Sequence, residues 1–113
     1  MFLLTLKYIA AVATILTGVV SLIWPRKVLG FTGLDMNGGR GVTEIRTILG
    51  ALFVGLGVAV LVFNMSETYR VLGITNLVMA LVRGVSMFVD KSVVSSNVIS
   101  LGAEILLGII LVL

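Results

Sequence analysis

Long uncharged stretches alternate with short polar ones along this chain. Tyr8–Pro25 and Thr47–Ser66 contain no charged residue. A membrane-spanning helix needs roughly 20 predominantly apolar residues. Extended back across Lys7, the first stretch predicts a helix over 3–24, ending in an interface aromatic, Trp24, and a breaker, Pro25. The second predicts a helix over 43–63, with the Thr43 hydroxyl as its cap. Asn64-Met65-Ser66-Glu67 is too short to separate neighbours, so an antiparallel helix over 68–89 follows. Asp90–Ser96 turns the chain again, and a last helix covers 96–113. The expected fold class is all-α, an integral membrane four-helix bundle forming a single transmembrane domain over 1–113.

The longest polar connection, 25–42, carries Arg26, Lys27, Asp35 and Arg40 among several glycines. Within it Val28-Leu29-Gly30-Phe31 is apolar beside two cations. Two readings fit: a short amphipathic turn at headgroup level, or an irregular loop. Ala11-Val12-Ala13 has the small-residue pattern of a signal-peptide cleavage site. No positive charge precedes the apolar region and the run continues past that site, so a span is expected instead.

Composition makes lipid the solvent. The chain is 59% hydrophobic and 12% charged, with a mean hydropathy of +1.25, against roughly 25% charged residues in a soluble domain. A soluble fold of this length leaves too much of its chain on the surface to hide that apolar area. Cysteine and histidine are both absent. That removes thiolate nucleophiles, imidazole bases, the usual zinc sites and histidine ligation of haem. The expectation is therefore no enzyme, no cofactor and no metal. The net charge of +3 reflects loop lysines and arginines rather than a nucleic-acid surface. Expected partners are the lipid bilayer and other membrane subunits or a second copy, with no nucleic acid. Arg26, Lys27, Arg40 and Lys91 lie on the side of loops 1–2 and 3–4, against Lys7 and Arg70 on the other side. The positive-inside rule then puts loops 1–2 and 3–4 in the cytoplasm.

Charges inside the spans are the informative residues, because each is costly in lipid unless paired or wetted. They are Glu44, Arg46, Arg83 and Glu104. At 1.5 Å per residue, Arg83 and Glu104 both lie roughly 10 Å in from the Asp90 turn. Arg46 enters from the same face. The expectation is a charge cluster in one leaflet, with Arg83 and Glu104 paired between the third and fourth spans. It reads either as an ion-pair network fixing helix register or as a polar site for an anionic headgroup, a carboxylate or a relayed proton. Asn76, Ala80 and Arg83 share one face of the third span, where Asn76 is expected to bond across helices. Ala51, Gly55 and Ala59 on the second span, and Ala10, Thr14 and Gly18 on the first, form small-residue ridges for helix packing.

Two segments carry a resemblance. One is Glu44-Ile45-Arg46-Thr47-Ile48-Leu49-Gly50-Ala51-Leu52-Phe53-Val54-Gly55-Leu56-Gly57. The other is Leu81-Val82-Arg83-Gly84-Val85-Ser86-Met87-Phe88-Val89-Asp90, followed by Glu104. Together with Pro25–Leu34 they are similar to a bacterial family of small four-helix membrane proteins of unknown function, broadly DoxX-like. The resemblance implies a four-helix bundle in the bacterial inner membrane, with Arg46, Arg83 and Glu104 at matching positions, and leaves the activity open. Small multidrug transporters share the length but need a carboxylate in the first span, where this chain has only Lys7. Two functions remain: a structural or accessory subunit of a larger membrane complex, or a small transporter or binder of an anionic or amphipathic molecule.

Overall fold

The computed structural model describes the whole chain, Met1–Leu113, and every regular element is helical. The elements are α1 (Phe2–Ile23), α2 (Pro25–Thr32), α3 (Gly38–Phe63), α4 (Ser66–Val89) and α5 (Ser95–Val112). The fold is all-α. Four of the helices, α1, α3, α4 and α5, are long and apolar enough to cross a membrane. That set is compatible with a multi-pass membrane protein. The chain divides into two compact units, one of Met1–Ala10 with Asn64–Leu113 and the other of Ala11–Phe63.

In the first unit α4 and α5 form an antiparallel hairpin. Helix α4 buries Tyr69, Leu72, Gly73, Ala80 and Met87, and α5 buries Glu104, Gly108 and Leu111. These recur at the three- and four-residue spacing of one helix face. Glycine lets the two backbones close up. A Cβ on Gly73 would sit 2.8 Å from Leu111 Cβ and 2.9 Å from Val112 N, and one on Gly108 would sit 2.6 Å from Leu77 Cδ2. The turn at the other end closes α4 tightly. Ser92 N–H donates to the Met87 carbonyl at 2.9 Å, while Lys91 takes a left-handed φ of 52°. That is the helix stop in which a chain residue just past the cap bonds back across the last turn. Asn76 was expected to bond across helices. It donates instead to the Leu72 carbonyl of its own helix, at 3.0 Å, because that acceptor lies one turn below and costs no second helix's alignment.

In the second unit the remainder of α1 packs on α3 through glycine. A Cβ on Gly57 would lie 2.4 Å from Ile15 Cγ1 and 2.9 Å from the Ala11 carbonyl oxygen, and one on Gly18 would lie 2.6 Å from the Gly50 carbonyl oxygen. Within this unit the expected ridge of α3 is not the face that α1 covers, and of its three residues only Ala59 is half-buried. Ala51 and Gly55 are exposed, and a Cβ on Gly55 would meet nothing within 4 Å. Small residues occur on more than one face of α3, and α1 occupies the Gly50/Gly57 face. On α1 the expected Ala10, Thr14 and Gly18 are all buried.

The long connection is helical in part. Pro25 occupies the first position of α2, and Gly33 ends it at φ 75°, with its N–H on the Leu29 carbonyl at 2.9 Å. Proline at the start and glycine past the end is the usual asymmetry of a helix. The Lys27 ammonium lies 5.6 Å from the centre of the Trp24 ring, a cation–π contact suited to a membrane interface. Helix α3 begins at Gly38, well before the Thr43 expected to cap it. Thr43 lies inside the helix, and its hydroxyl donates to the Gly39 carbonyl at 3.0 Å. Ile45–Ala51 within α3 is wound as a π-helix, with hydrogen bonds reaching one residue further than in an α-helix.

Candidate functional site: an arginine–glutamate pair between two helices

Helix α4 carries Arg83 on the face that holds Ala80 and Met87, and α5 carries Glu104 one turn from Gly108. The hairpin brings the two side chains together. Arg83 Nε donates to Glu104 Oε1 at 2.8 Å, and Nη2 donates to Oε2 at 2.9 Å. This is the two-pronged geometry that a planar guanidinium offers a carboxylate. Arg83 Nη1 donates to Asn97 Oδ1 at 2.9 Å. Asn97 Nδ2 in turn donates to the Ser92 carbonyl at 3.0 Å. The polar chain thus runs from the turn between the helices, through Asn97 and Arg83, to Glu104.

Burial is unequal. The Glu104 side chain is 9% exposed and that of Arg83 is 31% exposed. The exposed part of Arg83 lies in an open cleft of about 440 Å³ lined by Val78, Met79, Val82, Arg83, Ser86 and Asn97. Of the five N–H donors of a guanidinium, three are taken by Glu104 and Asn97. The pair carries no net charge. At the rim, Ser86 Oγ donates to Asp90 Oδ2 at 2.6 Å.

Of the four charges expected to crowd one leaflet, Arg83 and Glu104 meet. Glu44 and Arg46 belong to the other unit. Glu44 pairs with Arg40 one turn earlier on the same helix, both exposed. Arg46 is exposed and lies in the π-helical segment.

Sequence reasoning missed two features. Asn97 carries no expectation in the sequence analysis, although it stands two turns from Glu104 and so shares its face. The second is at the opposite end of the hairpin. Lys7 is only 7% exposed, and its ammonium lies 5.8 Å from the centre of the Tyr69 ring. Tyr8 meets the same ring edge-on with centroids 6.3 Å apart, and Tyr69 Oη donates to Asn64 Oδ1 at 2.9 Å. The signal was a lysine with an adjacent tyrosine near one end of an apolar run, which reads as a stem buried along helices with an aromatic partner. No protein-family model, curated protein or solved structure matches this chain.

Proposed function

We propose that the chain is a structural or accessory subunit of a larger membrane complex. The observation that carries this reading is the internal closure of the Arg83 site. Its charge is neutralised from within by Glu104, and Asn97 takes a third donor. An arginine held ready for an anionic cargo keeps its carboxylate-binding edge free, whereas here Glu104 occupies that edge. A closed pair fixes the register of two helices. The likeness of Arg46, Arg83 and Glu104 to the DoxX-like pattern is the ground for placing the protein among small multi-pass proteins of the bacterial inner membrane.

Docking to other subunits would use the exposed small residues of α3. Ala51 and Gly55 leave an unfilled strip, of the kind that lets a second helix approach closely. Native purification in mild detergent followed by mass spectrometry tests this. The chain should migrate with other membrane polypeptides, and Gly55→Leu should release it without lowering its own melting temperature. Migration of the wild-type chain only as a free monomer or homodimer would sink the proposal.

We also propose that the α4–α5 turn faces the cytoplasm, together with the connection that holds α2. Arg26, Lys27, Arg40 and Lys91 support this against Lys7 and Arg70. A Ser95→Cys variant should react with an impermeant thiol reagent only after the cells are opened. Labelling in intact cells would invert the topology.

A further inference from the structure

The cleft beside Arg83 combines a few polar groups with an apolar wall. Val78, Met79 and Val82 supply the wall, while Arg83, Ser86 and Asn97 supply the polar groups. Convergent polar atoms in an otherwise apolar concavity are the usual form of a small-molecule site. Three donors of Arg83 are engaged, so two remain. They belong to the side chain that is partly exposed and lines the cleft.

Charge decides what fits. Arg83 and Glu104 already cancel, and the Asp90 carboxylate stands at the rim on Ser86. An anionic group entering the cleft would put another negative charge beside an arginine already matched by Glu104, and at low dielectric its repulsion from Glu104 is large. A neutral oxygen acceptor meets no such penalty and satisfies donors that lipid tails cannot. The depth is also right: roughly 10 Å in from the end of α4 is nearer the ester level of a bilayer than its phosphates, given a hydrocarbon core of roughly 30 Å inside a total of about 40–45 Å.

We propose that this cleft binds a neutral ester lipid, with an ester carbonyl oxygen accepting from the free N–H groups of Arg83 and an acyl chain lying along Val78, Met79 and Val82. The site shares Arg83 with the subunit reading but uses only the two donors that Glu104 and Asn97 leave free, and lipid retention is read separately from co-migration with other subunits. The occupant is identified by its carbonyl, not by its chain.

The test is lipid retention by the purified full chain, read by native mass spectrometry. The probes are dioleoylglycerol, its dioleyl ether analogue, which lacks the carbonyls, and phosphatidic acid with the same chains. Dioleoylglycerol should be retained about tenfold more than the ether analogue, the size expected for a hydrogen bond to a charged donor. Val82 is 63% exposed, so Val82→Trp should fill the cleft while leaving the melting temperature unchanged, and the ester preference should disappear. Equal retention of ester and ether lipids would overturn the proposal. So would an ester preference that survives Val82→Trp, which would place it elsewhere. Stronger retention of phosphatidic acid, lost in Val82→Trp, would replace it with an anion site.

Discussion

Arg83→Met and Glu104→Gln should each destabilise the purified protein by about 3 kcal/mol, and the double variant should recover much of that loss. The two residues make a two-pronged ion pair between α4 and α5. Removing one partner leaves the other charge in an apolar setting, which costs about 3 kcal/mol even on lenient membrane scales. Removing both leaves neutral side chains of similar size, and a buried pair roughly breaks even against such packing. Asn97→Ala should cost less, about 1–2 kcal/mol, because it removes two hydrogen bonds, one to Arg83 and one to Ser92, and leaves the charges matched. Thermal melting in a single detergent measures all four variants. Strictly additive losses in the double variant would mean that the two side chains do not depend on each other.

Gly73→Leu should be the most damaging single substitution in the α4–α5 hairpin. Even a Cβ at that position would come within 2.9 Å of Val112 N, a backbone atom that cannot rotate away. The helices would have to separate along their far end, giving up the packing around Leu72 and Leu111. Overpacking a tight contact costs about 1–3 kcal/mol when neighbours can move, and a whole helix is harder to move than a side chain. Gly102→Leu on α5 is the matched control, since a Cβ there would meet nothing within 4 Å. The first variant should melt far below wild type and the second close to it. Equal melting of the two would show that the close approach at Gly73 is not needed.

The four spans were legible because their signal is long and unmixed: uncharged stretches such as Thr47–Ser66 separated by polar turns. The Arg83–Glu104 contact was legible too, from depth and sign, because a short turn ties the two helices into one frame. What failed depended on choosing between faces. Helix α3 carries Gly50, Ala51, Gly55, Gly57 and Ala59. Periodicity alone cannot say which of those small residues meets α1, and the answer was Gly50 and Gly57. The π-helical segment Ile45–Ala51 adds to the difficulty. It breaks the 3.6-residue count just after Glu44 and through Arg46, so spacing alone does not say which way Arg46 faces. The early start of α3 was hidden by Gly38, Gly39 and Gly41, whose propensity favours a loop. Near lipid, unsatisfied backbone groups cost more than glycine's weak preference. Asn76 was misread because a side-chain amide can be satisfied on its own helix as easily as on a neighbour.

The turn between α4 and α5 is short, and the charges it joins lie at one depth. This bears on how the chain is made. If α4 enters a bilayer before α5, Arg83 arrives with no counter-charge roughly 10 Å in from the end of the helix, where an unpaired arginine is costly. Its partner Glu104 emerges only with α5. The helix that is unfavourable alone becomes neutral when the next one joins it. In a bilayer, the ion pair would make the hairpin, rather than the single helix, the unit that inserts without an unpaired charge.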